Sequence, residues 1–592
     1  MKLARRVKIL ASVMTTCALW MGTASAQQFD FIRQDVFVDL ATPDTTTVTL
    51  ELEFVATGSV SRFSTANLAI PITSVLVNGA PGTSEPHFMY PEYLTDIVFP
   101  AAFGAGETIQ VSVQLSGTPA CGSGGACKRT PEETIFTFPM PGLAWYHVDP
   151  FRVDPFIGSV EMRVPEGHVA VAAHGELREM VSEGAGVERW AFDFQAPTEV
   201  FGGYAVDGAT SAVEASTSGF PTSAIYDPES ESVEEVRRAV DVASRVVPVL
   251  AEHYGALPIE ETRLVAVPEN FAFGAMSTLG VVYVNEIVFT SDTYLVEQGM
   301  AHETAHFWWG NTATARLSGE GPFFGESMAE YAGWRALGQL DGIDKRTAGM
   351  RMNAVWYMFT RPGDNDIDII GADQSSPVFV HVVYHKGPLV LRALEAYVGA
   401  DAFGAALKDA VGLGLGELSV DDLVTAVAAE SGVDIGPLAD QWLRNQGFPR
   451  IGTSPRIVDG SVELTFDVQG DFNLRVPIDL VDFAGARTRH VVDMATGPSV
   501  ATLPLPERGL AAVEIDPEWT MVREVLPALP EDVNLDGLVD GADLIEVALR
   551  RGNDLPAKRR VDGSYDPLFD LDADRSTGDA DLARIEGAAA TP

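Results

Sequence analysis

From about Phe29 to Gly208 the chain alternates apolar and polar residues in short runs, TTTVTLELEF, ETIQVSVQL, SVEMRVPEG and ERWAFDFQ, separated by Gly, Pro and Ser clusters. A period of two puts every second side chain on one face, so this stretch predicts an antiparallel β domain. At Ser232 the period lengthens. SVEEVRRAVDVASRVVPVLAEHYG carries apolar residues at helical spacing, and helices are expected from there to about Arg444, apart from the strand-like RLVAVP and VVYVNEIVF. After Gly447-Phe448-Pro449 the alternation returns in SVELTFDV, LRVPIDLV and AAVEIDP, predicting a second, smaller β domain. A linker with two prolines, LPALPED, leads from there to a short acidic module of two similar loops. The pattern as a whole predicts a multidomain α+β protein.

At 592 residues the chain exceeds what one hydrophobic core can serve, and 46% apolar with 21% charged residues is ordinary globular composition. Residues 1–26 are expected to be a cleavable signal peptide: Lys2, Arg5, Arg6 and Lys8, then an apolar stretch from Ile9 to Met21, then Ala24-Ser25-Ala26. That stretch is short for a bilayer span, so no transmembrane anchor is expected after cleavage, and the protein is expected to be exported: secreted, at the cell surface or in the periplasm. The other expected boundaries are 27–210 for the first β domain, 211–450 for the helical domain, 451–526 for the small β domain and 527–592 for the linker and acidic module. Loss of the signal moves the net charge from -43 to about -47, which repels phosphate backbones and disfavours nucleic acid as a partner. Cys121 and Cys127 bracket the loop CGSGGAC, where one small disulfide is expected in an oxidising compartment.

The chemistry is concentrated in TYLVEQGMAHETAHFWWGN, with Ser291-Asp292 as cap and Gly310-Asn311 as stop. His302 and His306, four residues apart, fall on one helix face and can each offer a nitrogen to one Zn²⁺, with Glu303 placed as general base toward water at the metal. A second helix, GPFFGESMAEYAGWRALGQL, opens near Pro322 and presents Glu326 in its first turn as a third ligand, leaving a fourth position open. Glu320 is a nearby rival for that ligand position.

These residues resemble the aminopeptidase N and leukotriene-hydrolase type zinc peptidases, whose HExxH helix continues with an aromatic and Gly-Asn, as HETAHFWWGN does. GESMAEY is similar to the family's ligand helix, and YHKG at Tyr384 to Gly387 matches its Tyr-x-Lys-Gly motif. The resemblance spans roughly residues 30–525. It implies a thermolysin-like, mostly α catalytic domain, one Zn²⁺, a peptide or protein substrate, an aminopeptidase activity, and Tyr384 as the donor to the oxyanion. Nineteen residues separate His306 from Glu326, one more than the family spacing, and the loop RLSGEGP is expected to absorb the extra one.

A second departure touches specificity. The family's Gly-x-Met-Glu-Asn strand, whose glutamate grips the substrate's free amino terminus, stands here as Gly274, Ala275, Met276, Ser277 and Thr278. A hydroxyl does not offset an ammonium charge, so selection for a free amine should weaken unless Glu269 or Glu286 reaches the site. The backbone of Gly274 to Met276, with Ser277 beside it, is expected to line the cleft and pair with extended substrate. Alternatives are an endopeptidase, a peptidase that needs no free amino terminus, or a non-catalytic binding protein on a peptidase scaffold.

In the acidic module, Asp532, Asn534, Asp536, Asp540 and Asp543 occupy positions 1, 3, 5, 9 and 12 of a Ca²⁺-type loop with Gly537 at position 6. Asp570, Asp572, Asp574 and Asp581 repeat positions 1, 3, 5 and 12, with Arg575 and Gly578 at 6 and 9, so weaker binding is expected there. Paired loops of this kind resemble a dockerin, which implies one or two Ca²⁺ and a protein partner for docking.

Overall fold

The computed structural model describes residues 29–589, apart from 43–44, 90–91, 121–126, 131–132, 137–143, 149–153, 173, 175–176, 268–273, 290, 292, 317, 361–365, 374 and 554–563. The expected signal peptide, the loop of the expected disulfide, Glu269 and Asp292 lie outside the described residues. The chain divides into two compact units, Met1–Ala336 with Asp373–Ser375 and Lys408–Ser419, and Leu337–Ala372 with Ser376–Leu407 and Val420–Pro592. Among the described residues no helix is long and apolar enough to cross a membrane.

The first unit opens on the expected β domain. Its largest sheet has eight strands in the order Leu177–Gly184, Val187–Asp193, Ile157–Pro165, Phe29–Asp39, Thr46–Ala56, Thr108–Gly117, Ile72–Val77 and Ala80–Pro81. The alternation read from the sequence becomes a buried face of Val38, Val48, Leu50, Phe54, Val111, Leu115 and Val160, all but inaccessible to water. One pairing departs from expectation: Phe29–Asp39 and Ile157–Pro165 run parallel, with Val36 opposite Val160. Alternation fixes which face is buried but not strand direction, and the long connection between these two strands permits a crossover.

His147 sits in this core against the rings of Phe31, Phe54 and Phe63, with centroids 4.9–5.7 Å away, and neither ring nitrogen has a partner. Burial pushes its pKa down to about 3 from 6.5, so the native ring stays neutral. Below pH 6.5 the unfolded chain takes a proton that the native state refuses. Stability is therefore expected to fall as pH drops from 6.5 toward 3, by about 1.4 kcal/mol per pH unit from this group. Denaturant titrations at pH 7 and 5 check this, with a shallower loss expected for His147→Phe.

A five-stranded sheet follows, in the order Ala212–Ala215, Thr222–Tyr226, Thr262–Val267, Val281–Asn285 and Ala275–Thr278. Its three inner strands are parallel, and helix Val233–Tyr254, opened by a capping box between Ser232 and Glu235, makes the first crossover. Strands buried on both faces read as continuous apolar runs, as VVYVN does. The strand reading of VVYVNEIVF ends early: Asn285 Oδ1 accepts from Ile287 N at 2.9 Å, and Glu286–Phe289 is a helical turn. Ala275–Thr278 pairs with Val281–Asn285 and closes the sheet as an edge strand.

In the second unit, helices Ile343–Thr360 and Gly387–Val398 precede two small sheets, Gly497–Pro504, Ser461–Gln469, Arg450–Val458 and Glu524–Pro527, and Arg487–Met494, Leu474–Val481 and Ala512–Ile515. The C-terminal module packs helices Gly541–Leu549 and Asp579–Ala589 around Val533, Val547, Phe569 and Ile585. Its first loop is fastened to the small β domain by Val513 N on the Asn534 carbonyl at 2.9 Å and by Asn534 Nδ2 on the Ala511 carbonyl at 3.1 Å.

Candidate metal centre

The helix that carries the histidines is Thr293–Ala305, shorter than the expected run to Gly310. His306 lies in its closing turn, its N–H still on the His302 carbonyl at 3.2 Å. The regular helix stops because side chains take over the last carbonyls: Asn311 Nδ2 donates to His306 O at 2.9 Å and Thr312 Oγ1 to Phe307 O at 2.7 Å. Gly310, at φ 109°, permits the reversal. The buried Trp308 and Trp309 fix this turn, Trp308 donating from Nε1 to the Gly255 carbonyl.

Glu326 lies in a π-helical turn, Phe323–Ser327, that runs into helix Met328–Asp341. A π turn is one residue wider than an α turn, so the residue beyond the family spacing has a place here as well as in the preceding loop. Gly333 brings this helix against the histidine helix, since a Cβ there would stand 3.0 Å from Ala301 C and His302 N.

The three predicted ligands converge. His302 Nε2 and His306 Nε2 are 3.0 Å apart, and each is 3.3 Å from Glu326 Oε2. Four donors set tetrahedrally around Zn²⁺ at its usual bond lengths stand about 3.3 Å from one another, so the donor set fits that ion. Glu320 is buried but is not part of the group.

The far side of each ring settles which nitrogen is free. His302 Nδ1 faces Glu330 Oε2 at 3.0 Å, and His306 Nδ1 faces the Trp309 carbonyl at 2.9 Å. Both partners can only accept, so each Nδ1 carries a hydrogen, which leaves Nε2 of each ring as the nitrogen that would hold a metal. Glu330 is itself fixed by Trp334 Nε1 at 2.7 Å and by Gln298 Nε2 at 3.0 Å. The sequence reading passed over Glu330, although its place one turn after Glu326 on the same helix face was a usable signal.

Burial works against charge on His302, but Glu326, Glu330 and Glu303 outweigh it and raise the ring to about 10. Burial would likewise push the Glu326 carboxyl up, and the two histidines hold it well below the usual carboxylate range. The field that favours a proton on these rings favours a divalent cation between them.

Glu303, 8% exposed, points its carboxylate to Ser277 rather than to another acid. Ser277 Oγ lies 2.5 Å from Glu303 Oε2 and 2.8 Å from the Glu303 carbonyl. Gly274, Ala275 and Met276 precede it, Ala275 and Met276 on the edge strand with Ser277, and Gly274 O receives Asn285 N at 2.8 Å.

Two histidines and one glutamate form an open donor set of the kind used for catalysis rather than for holding a fold. Residues 238–442 match the peptidase family M1 domain. The matched stretch holds every residue assigned above to the metal group, and Tyr384 with them. The chain is 28% identical over 231 residues to aminopeptidase M1-B of Oryza sativa subsp. japonica, covering 36% of this chain and 26% of that protein. It is 29% identical over 230 residues to tricorn protease-interacting factor F2 of Thermoplasma volcanium, covering 36% and 28%. Over 218 residues it is 26% identical to leucyl aminopeptidase of Saccharolobus solfataricus, covering 34% and 28%. These alignments span little more than a quarter of the relatives' length. The fold likeness is wider: Legionella pneumophila aminopeptidase A, solved with aspartic acid, superposes with a TM-score of 0.69 at 13% identity, over 89% of this chain and 61% of that one.

Tyr384 belongs to the second unit, in a π-helical turn His381–Lys386 ahead of helix Gly387–Val398. Its neighbour Lys386 is wholly buried, donates to the Asn445 carbonyl at 2.8 Å and lies 3.6 Å from Asp366. Asp366 also accepts from Tyr357 Oη and Gly447 N, so this turn is tied to the passage into the small β domain.

The two acidic loops fold alike. Asp543 accepts from Val533 N and Asn534 N, as Asp581 does from Leu571 N and Asp572 N. Gly537 N and Arg575 N donate to the first-position carboxylates Asp532 and Asp570, at φ 94° and 71°. In the first loop Asp536 and Asp540 cap local N–H groups. Burial and neighbouring carboxylates raise Asp532 to about 7. In the second loop the carboxylates of Asp570, Asp572 and Asp581 approach within 4.8 Å of one another, and Asp574 Oδ1 accepts from Ser576 N.

Proposed function

We propose that the protein is an exported zinc metallopeptidase that hydrolyses peptide bonds, aminopeptidase-like by its relatives. The observation that carries this reading is the convergence of His302, His306 and Glu326, with the charge of Glu303 acting on both rings, inside the stretch that matches the M1 domain. His302, His306 and Glu326 would hold zinc, which would supply a Lewis acid for a carbonyl oxygen and lower the pKa of water. Glu303 takes the water proton and delivers it to the leaving nitrogen. The resemblance of its YHKG motif assigns Tyr384 the role of donor to the oxyanion, one a phenol can fill because it keeps its proton at neutral pH. Tyr384→Phe is expected to lower turnover about 10²- to 10³-fold with zinc retained, measured by kinetics beside metal analysis. Full activity in that variant would remove Tyr384 from the mechanism.

A second reading, cleavage without need of a free amino terminus, is favoured by Ser277 in place of a glutamate. One peptide offered free and N-acetylated, with cleavage located by mass spectrometry, separates the two. Loss of single residues from the free form alone supports an aminopeptidase. Internal cleavage of both forms supports the second reading.

The two acidic loops are proposed to bind Ca²⁺ as a dockerin-like module with a protein partner. The raised Asp532 and the repeated loop geometry support it, because gathered carboxylates without a cation repel one another. Chelation of Ca²⁺ is expected to lower the thermal midpoint of this module and weaken its far-UV helical signal. An unchanged signal would contradict the calcium reading.

A further inference from the structure

We infer that Ser277 is a positioning residue for Glu303, an inference that rests on the peptidase reading above. The Ser277 hydroxyl has one proton and two acceptors in reach, Glu303 Oε2 at 2.5 Å and the Glu303 carbonyl at 2.8 Å. The short contact to an ionised carboxylate is the stronger of the two, so the proton points to Oε2. Ser277 is itself held in place. Its strand pairs in register, Ser277 opposite Val282, and its carbonyl lies 3.5 Å from Asn311 Nδ2, which also holds His306 O. The hydroxyl is thus fixed to the same framework as the metal group. It locks one oxygen of the base and leaves Oε1 to exchange the proton.

A serine here has its only proton committed to Glu303 and carries no charge for a substrate ammonium.

The test compares zinc-loaded wild type with Ser277→Ala, Ser277→Thr and Ser277→Cys. Ser277→Ala is expected to lower kcat about 10- to 100-fold, the effect of one hydrogen bond to a charged group, with KM changed less than about twofold and zinc content unchanged. Ser277→Thr keeps the hydroxyl and should recover most of kcat, while Ser277→Cys, a weak donor of similar size, should fall between. In a Glu303→Gln background Ser277→Ala should add nothing. A crystal structure of the metal-free Ser277→Ala protein should find the Glu303 carboxylate displaced. Wild-type kcat in Ser277→Ala, or a Glu303 carboxylate that stays in place without the hydroxyl, would overturn the inference. Wild-type protein that takes up zinc and cleaves neither free nor blocked peptide would overturn the peptidase reading itself.

Discussion

Glu303→Gln is expected to leave one zinc per chain and lower peptide turnover about 10²- to 10⁴-fold, the range lost with a general base. The amide is isosteric, so the His302 and His306 helix should keep its packing, and Ser277 Oγ still finds an oxygen to donate to. What is removed is the lone pair that accepts a proton. Kinetics and metal analysis on the same preparation check the prediction, and a variant that loses zinc along with activity would mean that Glu303 helps hold the metal.

Glu326→Ala should act the other way, abolishing stoichiometric zinc uptake before any question of turnover arises. It removes one of three donors and the carboxylate that draws a cation to the two rings. Glu330→Leu removes the partner that His302 Nδ1 shares with Trp334 Nε1 and Gln298 Nε2, and the expected loss is about 10- to 100-fold in zinc affinity. Glu320→Ala, outside the group, should bind zinc as wild type does. Competition with a chromophoric chelator orders all three.

The grouping of His302, His306 and Glu326 was legible in the sequence because their spacing is local. A spacing of four residues from His302 to His306 is about one helical turn, and Glu326 follows in the next helical segment. Strand alternation likewise gave the buried face of the first β domain. What stayed hidden depends on contacts between segments far apart in the chain. Ser277 and Glu303 are joined only when the edge strand meets the histidine helix, and no spacing rule links them. The parallel pairing of Phe29–Asp39 with Ile157–Pro165 has the same origin. The early end of the histidine helix was hidden for a different reason: Asn311 and Thr312 replace backbone donors, a competition that periodicity does not register. In the acidic module Arg575 takes a positive φ of 71° where Gly537 has 94°, so the second loop keeps the backbone course of the first despite the bulkier residue.

The most direct measurement strips the full-length protein with a chelator, restores zinc in steps, and follows bound metal and peptide cleavage together. Activity that returns in proportion to zinc and saturates at one ion per chain, in wild type and not in Glu326→Ala, is the predicted result. Cleavage that persists without metal, or full zinc binding with no cleavage of any peptide, would contradict it.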